Sequence, residues 1–259
     1  MSVILICALA GICGTCLGCL LYITLGKSSS GAMGWTLSFA GGVMIGVVFF
    51  ELIPEAYELS GTGLTLVGLS VGLSFIAAIH LLVDKLIGPP EEKHGFHHSH
   101  EIDIHDHRLA GDTHALIRSG MMMLIAIGLH NLPEGMALGS GGSHDARLGL
   151  ILAVMIAMHN IPTGMAIAAP LLAGGMDRII VFSLTALSGL PTLAGGLIGM
   201  IIGGMSGRTI AISLAGSGGT LIYVAIMEII PQSLRLLKTS KAVLMIALGI
   251  LAGILASLI

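Results

Sequence analysis

Apolar residues run along this chain in long intervals that are free of charge or broken by a single ionisable group, and polar residues collect between them. A helix crosses the hydrocarbon core of a bilayer with about 20 such residues. Eight intervals reach that length: 3–25, 33–57, 62–84, 117–139, 147–172, 179–203, 210–236 and 241–259. The pattern predicts an all-α integral membrane protein of eight transmembrane helices, forming one polytopic domain over 1–259. Connections are short apart from 85–116, so the helices pack as one bundle. Glycines four residues apart, such as Gly14 and Gly18 or Gly195, Gly199 and Gly203, let helix backbones approach closely.

Composition removes the soluble alternative. Hydrophobic residues make up 55% and charged residues 10%, where a soluble domain carries roughly 25% charged. Eleven of the 25 charged side chains lie between Asp84 and Arg118, which leaves too few elsewhere to wet a globular surface. The net charge of −3 arises in that one segment, and no basic patch for nucleic acid is present. Residues 3–26 are charge-free and lack a basic leader, and read as a retained first span rather than a signal peptide. Cys7, Cys13, Cys16 and Cys19 fall in this span and read as small packing residues, as Met44 and Met121 to Met123 read as apolar filling.

Eight crossings place both termini on one side. Nine Lys and Arg residues flank the opposite ends of the spans, against two, Arg147 and Arg208, on the termini's side. The positive-inside rule then puts the protein in the cell membrane with extracytoplasmic termini and the 85–116 loop in the cytoplasm. Residues 91–107 of that loop hold six of the eleven histidines, interspersed with acids. Imidazole with carboxylate suits transition metals, so it reads as a flexible metal-collecting segment or as a plain polar linker.

An ionisable group inside a span is costly unless it faces a polar cavity or a partner, and so marks a pathway. Six need explaining: Glu51, His80, His130, Glu134, His159 and Glu228. The sequence His130-Asn131-Leu132-Pro133-Glu134-Gly135-Met136-Ala137 in span four returns in span five as His159-Asn160-Ile161-Pro162-Thr163-Gly164-Met165-Ala166, identical at six of eight positions. Consecutive spans are antiparallel, so the two histidines reach similar depth and can face each other. Glu51-Leu52-Ile53-Pro54 in span two likewise pairs with Glu228-Ile229-Ile230-Pro231 in span seven. The chain reads as an inverted repeat, with spans one to three related to six to eight and span four to span five. His130 and Glu134 lie four apart on one helix face. With His159 they offer two imidazoles and a carboxylate, a set suited to zinc or a similar divalent ion. Asn131, Asn160 and Thr163 add neutral oxygens beside them. His80, alone in its span, reads as a structural hydrogen-bonding group.

On these residues the chain resembles the ZIP (Zrt- and Irt-like) metal transporters: eight spans, outward termini, a histidine-rich loop after span three, and the His-Asn-x-Pro-Glu-Gly signature in span four. The resemblance implies a transport site on spans four and five, metal movement toward the cytoplasm, and an elevator-like motion of spans one, four, five and six against spans two, three, seven and eight. Thr163 stands where the family usually has Glu, and Ser188-Gly189-Leu190-Pro191-Thr192 lacks the acid often beside its proline. Two adjacent ions would then lack the carboxylates that offset their repulsion, so one primary metal is expected, with Glu51 and Glu228 as entrance, exit or gating groups.

The expected function is transport of a divalent transition metal, zinc first, with iron, manganese, cobalt and cadmium as further substrates. The expected partners are those ions and the lipid bilayer; a homodimer is compatible with the chain. No enzyme activity and no resident cofactor are expected. Gly26-Lys27-Ser28 lacks the first glycine of a phosphate loop, since Leu21 stands there. Imidazole binds metal only when neutral, so acid opposes loading. Two rival readings are an intramembrane zinc protease, whose motif would need Glu directly after the first His where Asn131 stands, and a metal sensor that does not transport.

Overall fold

The computed structural model describes residues 3–25, 30–87, 113–144, 146–202 and 207–258, and these are helical throughout apart from short turns, with no strand among them. The histidine-rich segment falls almost entirely outside the described residues. Helix α1 (Val3–Ala8) passes through a π-helical turn, Leu9–Cys13, into α2 (Gly14–Leu25). Helix α3 (Ser30–Val47) continues through a second π turn, Val48–Leu52, into α4 (Ile53–Ile87). Then follow α5 (Thr113–His144), α6 (Ala146–Ala173), α7 (Arg178–Ile202) and α8 (Gly207–Val224). A third π turn, Ala225–Ile229, leads into α9 (Ile230–Leu236), and α10 (Thr239–Ser257) follows.

Seven continuous helical segments of the described residues are long and apolar enough to cross a bilayer. One of them, Gly31–Leu82, has 52 residues. At 1.5 Å per residue that is about 78 Å of helix, more than twice the hydrocarbon thickness. It breaks at Gly61, where φ is 74°, a left-handed conformation that a residue without Cβ adopts without strain. The expected connection between 57 and 62 is therefore reduced to a single left-handed residue. Large apolar side chains such as Leu66, Val71, Phe75, Ile179 and Ile201 are more than half exposed. A water-facing surface rarely tolerates so many, whereas lipid does.

Glycines determine which helices touch most closely. A Cβ on Gly72 would run into the carbonyl of Gly216, joining α4 to α8, and one on Gly42 into the carbonyl of Ile246, joining α3 to α10. Gly139 lies against Gly196 (α5 to α7) and Gly164 against Thr15 (α6 to α2) in the same way. Together with the continuity of the chain through the π turns, these contacts sort the helices into two sets. One comprises α1, α2, α5, α6 and α7; the other comprises α3, α4, α8, α9 and α10. Among the described glycines, no glycine-to-backbone approach crosses from one set to the other. The sets meet instead where α5 lies on α8 and α6 on α3.

Candidate metal site

Pro133 lies inside α5 and Pro162 inside α6. Proline has no N–H, so the carbonyls of Leu129 and Met158, four residues back, lose their intrahelical partners. The histidine that follows each freed carbonyl turns inward. His130 is fully buried, and Glu134 and His159 are only 3% and 4% exposed. Nε2 of His130 is 2.9 Å from Oε1 of Glu134, and Nε2 of His159 is 2.8 Å from the same oxygen. The imidazole centroids are 6.0 Å apart. One nitrogen from each ring and one carboxylate oxygen lie within 4.8 Å of one another, the only such group of metal-ligating side chains among the described residues.

Hydrogen bonds behind the rings orient the first of them. Ser217 on α8 contacts Nδ1 of His130 and donates to the His130 carbonyl at 3.2 Å. A hydroxyl has one proton. With that proton on the carbonyl, Nδ1–H of His130 donates to the serine oxygen and Nε2 presents a lone pair toward Glu134. That Nε2 makes no hydrogen bond despite its approach to the carboxylate. Oε2 of Glu134, Nδ1 of His159 and Oδ1 of Asn131 are also buried without a hydrogen-bond partner among the described groups. A lone pair against a carboxylate, with further acceptors left open, is an arrangement that a cation satisfies. A tetrahedral ion with bonds of about 2.0–2.2 Å holds its donors about 3.4 Å apart, so the three groups would move outward by roughly half an ångström on loading.

The neighbouring motif residues are committed to the scaffold by their other atoms. Asn131 Nδ2 donates to the carbonyl of Ser188 on α7 at 2.7 Å, and Asn160 Nδ2 to that of Ala10 in the first π turn at 3.3 Å. Thr163 donates to the Asn160 carbonyl at 2.8 Å. The two asparagines thus pin α5 and α6 to α7 and to the first π turn, within one helix set, and keep their amide oxygens uncommitted or nearly so.

The two remaining predicted residues separate. Both lie at the fourth position of a π turn that runs into a proline, Pro54 or Pro231. Glu51 lies within electrostatic range of Glu134 and His159. Glu228 instead joins His80, whose Nε2 is 3.4 Å from Oε1, and accepts from Ser119 at 3.1 Å. Ser217 had no signal in the sequence beyond being a polar residue in the small-residue run Ala215 to Gly219.

Similarity to known proteins agrees with the site. The family model described as ZIP Zinc transporter matches residues 84–259. A Zinc transporter ZupT of Nitratidesulfovibrio vulgaris is 36% identical over 207 residues, covering 76% of this chain and 75% of the relative. One of Streptococcus mutans is 32% identical over 258 residues, covering 96% and 92%, and one of Chlorobium chlorochromatii is 34% identical over 204 residues, covering 76% and 75%. The relatives are named as transporters and not as enzymes, which sets aside the intramembrane protease reading. With a family model matched over most of its length, this multi-pass helical membrane protein belongs to the ZIP family of zinc transporters.

Proposed function

We propose that the chain carries zinc across the cell membrane toward the cytoplasm, one primary ion at a time, held by His130, Glu134 and His159. The observation that carries this reading is the convergence of two buried imidazole nitrogens on one buried carboxylate oxygen, with lone pairs unsatisfied around it. Asn131, Asn160 and Thr163 line the site, and Glu51 and Glu228 act as gating groups on its two sides. Iron, manganese, cobalt and cadmium fit the same borderline donor set.

The proposed topology has eight crossings in two inverted halves, with Gly31–Leu82 turning back at Gly61 to cross twice, both termini outside and the 85–116 loop in the cytoplasm. The paired π turns, each with glutamate fourth and proline following, support the inverted halves. Separation of the glycine contacts into two sets supports a two-body motion, because packed interfaces move as units rather than deforming. Direct evidence would come from zinc uptake into sealed vesicles. His130→Ala and Glu134→Ala are expected to abolish saturable entry while the protein stays folded; normal entry in either variant would refute the assignment.

A further inference from the structure

A second polar cluster, which includes Glu228, lies toward the end of the bundle where α4 closes and α5 opens, and it shares no residue with the three metal ligands. Arg118 on α5 donates from its guanidinium to Nε2 of His80 on α4 at 3.0 Å. Since a guanidinium only donates, Nε2 accepts, and the ring proton of neutral His80 sits on Nδ1. From there it donates to the hydroxyl oxygen of Tyr223 on α8 at 3.1 Å. The Tyr223 ring stands edge-on to the imidazole, with centroids 5.8 Å apart. Next along α5, Ser119 donates to Glu228 Oε2 at 3.1 Å and lies 3.4 Å from Gln232 Oε1. Arg118 and Ser119 belong to one helix set, while His80, Tyr223, Glu228 and Gln232 belong to the other side of the boundary. The cluster therefore spans the boundary between the sets.

Its position relative to the metal site is informative. Ser119, Met123, Ala126 and His130 succeed one another at spacings of three and four, on one face of α5. Eleven residues of helix separate Ser119 from His130, about 16 Å. Met123, Ala126 and Ile127 between them are fully buried, as is Val224 on α8. This end is therefore packed shut with apolar side chains, and the charged cluster lies beyond the plug. The closest helix pairs within each set are held by glycine against backbone, which needs no charge. Partly buried ionic groups are a poor source of stability, but they suit an interface that has to exist in two states.

We propose that Arg118 is a positioning residue for transport: a tethered cation that latches the two helix sets together at the loop end, and that must release His80 before the path from the metal site opens there. The proposal rests on the transport reading given above. Its test is built on accessibility, which does not require zinc to move. In protein held in nanodiscs, with Cys7, Cys13, Cys16 and Cys19 replaced by alanine, Ala126→Cys reports opening of the plug through reaction with a water-soluble maleimide in zinc-free buffer. Losing a hydrogen bond from a charged group is expected to raise the labelling rate about tenfold in Arg118→Gln. His80→Ala removes the acceptor from the opposite set and is expected to act alike, which keeps the test usable if one variant folds poorly. Leu171→Cys, whose parent side chain packs against Gly120 within a single set, is expected to stay protected in both variants. Unchanged labelling at position 126, or equal gains at 126 and 171, would overturn the latch. If the parent protein moves no zinc, the transport reading fails, and the labelling contrast is still read independently.

Discussion

At the scale of residues, the candidate metal site was legible where chemistry was out of place. His130, Glu134, His159, Glu51 and Glu228 are ionisable groups in apolar spans, and each stands out for that reason alone. Ser217 does not stand out, because a serine in a small-residue run looks like any close-packing position. Yet it contacts the first histidine and fixes its tautomer. Partners behind a metal ligand typically matter by 10- to 100-fold in affinity. Ser217→Ala is therefore expected to weaken zinc binding by about tenfold, read by competition with a chelator; an unchanged affinity would remove Ser217 from the site. The opposite sign is expected for Thr163→Glu. It restores a carboxylate near the buried pair, so equilibrium dialysis should find a second bound metal, and unchanged stoichiometry would count against the single-ion account. Lowering the pH should weaken zinc binding in the parent protein, because a protonated imidazole has no lone pair to give.

The helical, bilayer-spanning character was predicted; eight spans were expected where the described residues form seven continuous segments of bilayer length, and the irregularities of the helices were not foreseen. The 3.6-residue repeat and the length of a bilayer crossing locate an apolar helix, but a π turn changes only a few hydrogen bonds and leaves no mark on hydropathy. The turns holding Glu51 and Glu228 therefore appeared only in the structure, although the prolines that follow them were plain. The connection expected around 58–61 also contracted to Gly61 alone, since one left-handed residue breaks the helix without a loop. Close packing gives this scale its prediction. A Cβ on Gly195 would strike the carbonyl of Leu132 in the metal-site motif, whereas one on Gly63 would meet nothing within 4 Å. Overpacking usually costs about 1–3 kcal/mol. Gly195→Ala should lower the thermal midpoint and weaken zinc binding together; Gly63→Ala should leave both within about 0.5 kcal/mol of the parent. Equal behaviour of the two in a melting experiment would contradict the packing argument.

For the whole molecule, the central idea is one ion held where two sets of helices meet. Membrane residence and the transporter family were readable from hydropathy and one duplicated motif, while the sorting of helices into sets needed coordinates, because it depends on which glycine meets which backbone. If the sets move against each other, bridging them should stop transport. Cysteines at Ser119 and Gln232, joined by a short reducible thiol cross-linker, are expected to halt zinc uptake until reductant is added; uptake that survives complete cross-linking would show that this boundary does not move. The most direct test of the central claim is zinc-edge X-ray absorption on the full chain at one equivalent of zinc, with His94, His97, His98, His100, His105 and His107 changed to alanine. Zinc held as proposed gives two imidazoles and carboxylate oxygen at about 2.0–2.2 Å, with the imidazole signal reduced in His130→Ala and in His159→Ala. A sulfur shell, or a spectrum indifferent to both substitutions, would contradict the claim.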